Sequence, residues 1–228
     1  MADEAKNAAM SREKRAEKPA GGLWGKTPAS RQRRQEILIA AKDVFLEDGY
    51  QVASMERLAE AAGTTKRTLY DHFGNKEGLF AASIEYGSEL FVGRLPRVED
   101  LSADTAEAIP YFIDRMAAVM NAPDAIRFQR LVIAEAERHP EFGRILNEAA
   151  FVAAEHVLRD YLKRQVEAGR LKAHDVAAWA KTLVSLTKNH EHTQALLGLP
   201  AGRDTHAEHA RNQLIGLYVD AHRRDGAG

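Results

Sequence analysis

Lys66, Arg67, Thr68, Tyr70 and His72 crowd cations, hydroxyls and an imidazole into one short stretch. Leu69 and Phe73 interrupt them at a spacing of four. On a helix, residues four apart share a face, so the two apolar side chains turn inward while Lys66, Arg67 and Tyr70 point out. Such a face donates hydrogen bonds. Arg67 offers paired N–H groups that fit the O6 and N7 acceptors of guanine. Thr68 offers a hydroxyl, or its methyl to the methyl of thymine. Lys66, with Arg67 in the first turn, enters deepest. The partner that these groups suit together is an acceptor-lined polyanion, above all the major groove of duplex DNA.

Several elements must hold that helix in place. Ile37, Ala41, Val44 and Phe45 form one apolar face of a first helix, opened by Ser30 and ended at Gly49-Tyr50. Ser54 is an N-cap for a second, with Glu56 in its first turn and Met55, Leu58, Ala59 and Ala62 as its buried stripe. Gly63 breaks the chain, and Thr64-Thr65 caps the third helix, Lys66 to Phe73. Two short helices about a glycine-containing turn make a helix-turn-helix. Asn75 caps a fourth helix through Leu79, Phe80, Ile84, Leu90 and Phe91, which ends near Gly93 before Pro96. Lys76 in its first turn, and Ser54 in the second helix, are placed to hold phosphates beside free backbone amides. Thr65 joins them at the head of the third helix, and Arg31, Arg33 and Arg34 add charge from the first. Glu56 could accept from the amino group of cytosine, but its place at the positive end of the helix dipole suffices to explain it. Asp71 repels phosphate and is assigned no contact.

This stretch resembles the DNA-binding domain of TetR-family transcriptional regulators. Ile37, Ala41, Phe45, Gly49-Tyr50, Ser54, Leu58-Ala59, Ala62-Gly63, Thr68-Leu69-Tyr70, His72-Phe73 and Asn75-Lys76-Glu77 carry the resemblance in one ungapped register. It implies three helices for DNA binding and six for regulation, with Tyr70 on a base or phosphate and His72 on the backbone. Arg67 departs from the pattern, since many relatives have a small residue there. Arg130 to Phe142, Arg-Leu-Val-Ile-Ala-Glu-Ala-Glu-Arg-His-Pro-Glu-Phe, resembles the regulatory domain of an AcrR- and AefR-like subgroup.

The chain has 228 residues, 45% hydrophobic and 29% charged, and no cysteine, which excludes disulfides and thiolate chemistry. No apolar run approaches the roughly 18 residues of a membrane span. The first residues lack the apolar core of a secretory signal, so a cytoplasmic, nucleoid-associated protein with no membrane partner is expected. The net charge of −1 hides an asymmetry. From Ser11 to Arg34 eight basic residues face two acidic ones, a basic arm suited to phosphate or minor-groove contacts.

Beyond the fourth helix, caps and breakers outline five more and no strand. These are opened by Asp104 with Glu107, by Pro123, after His139-Pro140, by Asp175, and by Thr205 with Glu208. The expectation is an all-α fold of nine helices. A basic arm would span residues 1–30, a helix-turn-helix domain 31–91, and a ligand-binding and dimerisation domain 92–228.

Phe112, Met116, Met120, Phe128, Phe151 and Trp179 recur at helical spacing. They serve as core, and several of them line the cavity that the resemblance implies for a small apolar or amphipathic effector. His156, Asn189 and His190 are the polar groups available to orient it. The pairs His190/His192 and His206/His209 are read as surface or interface residues, with no metal and no cofactor expected. Apolar stripes from Trp179 to Leu197 and from Leu214 to Val219 suit a homodimer four-helix contact. One helix-turn-helix reads few base pairs, so a palindromic operator and a ligand-responsive repressor are expected. The competing enzyme reading rests on Ala20 to Thr27, Ala-Gly-Gly-Leu-Trp-Gly-Lys-Thr, a relaxed P-loop pattern. It lacks a preceding apolar strand, and Pro28 follows at once.

Overall fold

The computed structural model describes residues 27–200 and 204–224. Among them no strand forms, and Leu171 and Arg223 make one isolated antiparallel bridge. The chain divides into two compact units between Ser83 and Ile84, inside the fourth helix.

The first unit holds α1 (Pro28–Val52), α2 (Met55–Ala61), α3 (Lys66–Phe73) and the start of α4 (Lys76–Val92). Thr27, not Ser30, caps α1. Pro28 takes the first helical position, where its missing N–H costs nothing, and Ser30 closes a capping box back onto Thr27. Gly49 leaves helical geometry at φ 79° and ψ 161°, a left-handed φ that favours glycine, and ends the straight part of α1. Tyr50 thereby reaches Phe45 and Phe80, whose ring centroids lie 6.0 and 4.9 Å from its own, with Phe45 and Phe80 4.7 Å apart. Ile37, Leu58, Leu69, Leu79 and Phe80 are fully buried. Ser54 accepts from the Arg57 N–H at 3.2 Å and Thr65 from the Thr68 N–H at 3.1 Å, each closing the head of its helix.

The second unit continues through α5 (Thr105–Met120), α6 (Pro123–Glu135), α7 (Pro140–Leu146), a π-helical turn (Asn147–Val152), α8 (Ala153–Glu167), α9 (Val176–Ser185), α10 (His190–Leu197) and α11 (Thr205–His222). Its core joins Ile109, Phe112 and Met116 of α5 to Leu158 and Leu162 of α8, Leu183 of α9 and Val219 of α11. Two stretches read as single helices from the sequence differ. The rod from Pro140 to Glu167 is continuous but contains the π turn. The stretch from Asp175 to Leu197 is two helices. Ser185 and Thr187 turn their hydroxyls back onto the carbonyls of Thr182 and Val184, and Asn189 caps a fresh start by accepting from the His192 N–H. Asp204, rather than Thr205, caps α11 through the N–H groups of His206 and Ala207.

Candidate nucleic-acid interface and effector cavity

Helix α3 presents the face expected of it. Leu69 is fully buried and Phe73 nearly so, while the Arg67 side chain is 91% exposed and lies 3.7 Å from Asp71. Tyr70 is exposed, with the Lys66 ammonium 5.8 Å from its ring centroid. Lys66 also pairs with Glu56 of α2, so that Glu56 does more than answer the helix dipole. The hydrogen bond between them holds the Glu56 carboxyl below its usual pKa and the Lys66 ammonium above its own. Thr68 is half-exposed, its hydroxyl 2.8 Å from that of Thr65. His72 is half-buried. Burial lowers its pKa, against the opposing pull of Asp71.

Other cations expected to face phosphate are engaged inside the unit. Arg33 donates to the carbonyls of Ala62 and Gly63 at 2.9 and 2.7 Å, satisfying the C-terminal end of α2 at the very turn of the motif. Lys76 donates to the carbonyls of Tyr50 and Gln51 at 2.9 and 3.1 Å, with its ammonium 4.7 Å from the Tyr50 ring centroid. Helix ends and phosphates both present acceptors, and in the free protein these two side chains take the helix ends. The Arg34 guanidinium lies 6.0 Å from the centroid of the Phe73 ring. Arg31 is exposed. Ser54 and Thr65 use their hydroxyl oxygens as caps, and the Thr65 and Thr68 hydroxyls share one further hydrogen bond.

Gly78 went unremarked in the sequence. A Cβ there would meet the Phe73 carbonyl oxygen at 2.0 Å, so the close passage of α3 into α4 requires glycine. The P-loop-like residues Ala20 to Lys26 lie outside the described residues. Thr27 is the α1 cap.

In the second unit Met120, Phe128 and Phe151 line a small cavity of about 60 Å³ together with Gly87, Ser88, Phe91, Gln129 and Leu146. Phe151, Gln129 and Leu146 also border a neighbouring groove of about 410 Å³, whose lining includes Lys188, His192 and Thr193. The remaining candidates stand elsewhere. Phe112 and Met116 are fully buried core residues. His156 is exposed. Asn189 is spent as the cap of α10. Trp179 lines an apolar groove of about 270 Å³ with Leu183, Leu214, Leu217 and Tyr218. His192, read as a surface or interface residue, is buried and contacts Asn121 through Nδ1 at 2.9 Å. Burial, with Lys188 nearby, lowers its pKa. Ser88 and Gln129 had not been singled out. Ser88 had a signal, since it sits four residues after Ile84 on the apolar stripe of α4.

Two family models match. Residues 37–83 fit the model for bacterial regulatory proteins of the tetR family, and residues 107–220 fit that for the C-terminal domain of AefR-like transcriptional repressors. The chain belongs to the TetR family. It is 42% identical over 79 residues to the HTH-type transcriptional activator FasR of Mycolicibacterium smegmatis, covering 34% of this chain and 36% of that one. It is 30% identical over 136 residues to the nucleoid occlusion factor SlmA of Vibrio cholerae, covering 59% and 61%. Matches to these curated relatives thus span less than two thirds of their length. Among solved structures, the flavonoid-responsive regulator FrrA superposes with a TM-score of 0.71 at 27% identity, over 86% of this chain and all of that one. A TetR-family regulator from Mesorhizobium loti gives 0.72 at 23%, which speaks for the fold alone.

Proposed function

We propose that this TetR-family chain is a sequence-specific DNA-binding transcriptional regulator that represses from a palindromic operator as a homodimer and responds to a small apolar or amphipathic effector. One observation carries the DNA reading: α3 stands on buried Leu69 and Phe73 and turns Lys66, a 91% exposed Arg67 and Tyr70 to solvent. Arg67 takes a guanine edge, with Thr68 and Tyr70 beside it. Lys66 exchanges Glu56 for the DNA. Ser54, Thr65, His72, Arg31 and Arg34 position the phosphate backbone. Arg33 and Lys76 act first by fixing the motif and reach phosphate with the N–H groups they have left.

The reader is assigned to residues 31–91 and the regulatory and dimerisation part to 92–228, with the basic arm before them, in a protein working on nucleoid DNA in the cytoplasm. The apolar groove of Trp179, Leu214 and Leu217 supports pairing of α9 and α11 with a second copy. Exposed Leu214 and Leu217 would then be covered. The pair would set two α3 helices about 34 Å apart, or a multiple of that. The similarity to an AefR-like repressor domain supports repression. The aromatic walls around Met120 suit a flat effector, of the kind that a flavonoid is for the flavonoid-responsive FrrA. An effector there touches Gly87 and Ser88 of α4, and its preference for one setting of that helix changes operator affinity. A coupling of ~1–3 kcal/mol is typical.

Selection from a random duplex pool is expected to return an inverted repeat with half-sites one helical turn apart or more. Arg67→Ala should weaken the selected operator by about 10- to 100-fold and relax preference at one base step. An unchanged affinity and an unchanged preference would remove α3 from the groove.

A further inference from the structure

We propose that the cavity beside α4 selects its effector by a hydroxyl group: it takes an uncharged aromatic alcohol or phenol, read by Ser88 and Gln129. This deepens the effector reading above and rests on it for the regulatory consequence.

Ser88 is 3% exposed, and its Oγ has no hydrogen-bond partner in the fold. A serine inside a helix has an easy partner in the carbonyl four residues back. Ser83, on the same helix, takes it, donating to Leu79 O at 2.8 Å. Ser88 does not, and lines the cavity instead. A buried hydroxyl left unpaired is destabilising, so one that the fold does not satisfy calls for a partner from outside it. Gln129, also buried, lines the same cavity. Its amide Nε2 donates to Met120 O at 3.1 Å and Ala125 O at 3.2 Å. Both amide hydrogens are therefore spent, and only the acceptor Oε1 remains to offer.

The ligand group that answers both is one that accepts from, or donates to, Ser88 while donating to Gln129. A hydroxyl does this. A carboxylate cannot donate to Gln129, and no charged side chain lines the cavity to offset its desolvation. An ammonium fails for the second reason. Phe91, Phe128 and Phe151 supply flat apolar walls. The Phe128 ring packs directly on α4 at Gly87, where even a Cβ would meet it only at ordinary van der Waals distance, 3.4 Å. The space beside Ser88 is small, about 60 Å³, and shares Phe151, Gln129 and Leu146 with the groove of about 410 Å³. The Lys188 ammonium lies 4.2 Å from the centroid of the Phe151 ring. A ligand longer than one ring thus places its hydroxyl at Ser88 and its body past Phe151.

Calorimetric titration of the full chain at neutral pH with naphthol, naphthalene and naphthoate tests this. Naphthol should bind about tenfold more tightly than the other two, the fold-change of one satisfied hydrogen bond. Ser88→Ala should cut that advantage to what the Gln129 contact alone supplies, leave naphthalene binding as it was, and keep or raise the melting temperature of the free protein. Naphthoate binding as tightly as naphthol, no naphthol binding, or full naphthol affinity in Ser88→Ala would each overturn the proposal. Repeating the titration with operator separates the two readings. Naphthol bound through Ser88 with operator affinity unchanged would leave the hydroxyl site standing and end its regulatory role.

Discussion

Two aromatic clusters in this chain do opposite things with similar side chains. Phe45, Tyr50 and Phe80 close on one another at 4.7 to 6.0 Å and fill the centre of the first unit. Phe91, Phe128 and Phe151 stand around a space. The first cluster makes a rigid support, which a reading helix needs to hold its donors in register with base edges. The second keeps walls whose contacts a small molecule can supply. The same contrast runs through the polar groups. In the reading unit Arg33, Lys76, Ser54 and Thr65 are each tied to backbone. On α4, Ser88 holds a hydroxyl that the fold does not use.

The sharpest way to break this comparison is to truncate one ring from each cluster. Phe45→Ala should cost about 3–5 kcal/mol in urea unfolding. Phe151→Ala, half-buried on the π turn, should cost clearly less, about 1–2 kcal/mol, because it packs on the core with only part of its ring and borders the cavity with the rest. Equal losses would mean that the second cluster is ordinary core. Next in size, Gly78→Ala should cost about 3 kcal/mol, since its Cβ must displace backbone rather than a flexible side chain. DNA affinity should fall with it even where the fold survives. A helical spectrum and operator affinity like those of the parent would show that the α3–α4 passage gives way easily.

The smallest effect expected is on pH. His192 is buried and its pKa is lowered, so the unfolded chain takes up a proton there before the folded one does. Its contribution to stability is therefore flat above the ordinary histidine pKa of about 6.5 and falls as pH drops below it. His192→Gln should flatten the melting-temperature profile in that acid range. A parent protein that gains stability on acidification through the same range would reverse the sign.

The reading helix was legible because its evidence is local. Period-four burial of Leu69 and Phe73 and the caps at Ser54 and Thr65 need only neighbouring residues to state themselves. Arg33 and Lys76 were harder. Their charge announces an acceptor but not which one, and the carbonyls of Gly63 and Tyr50 reach them only through the folded turn. The cavity was half legible. Phe112 and Met116 obey the same periodicity as Met120 and Phe128, and nothing along a single helix separates a residue facing other helices from one facing a gap. The division of the stretch after Asp175 is marked by no Gly or Pro, only by the run without apolar residues from Thr187 to Gln194 and the Asn189 cap within it.

The π-helical turn from Asn147 to Val152 carries a last consequence. An α-helix advances about 100° per residue, so losing one amino acid from an ordinary stretch swings everything downstream to a new azimuth. A π turn already accommodates one residue more than α-helical winding would. Shortening the chain by one position there would let the rod rewind as plain α-helix and leave Leu158 and Leu162 aimed as before. Insertions and deletions that lineages tolerate in this rod should therefore gather at that single turn, where they would reshape the wall carrying Phe151 without disturbing the rod beyond it.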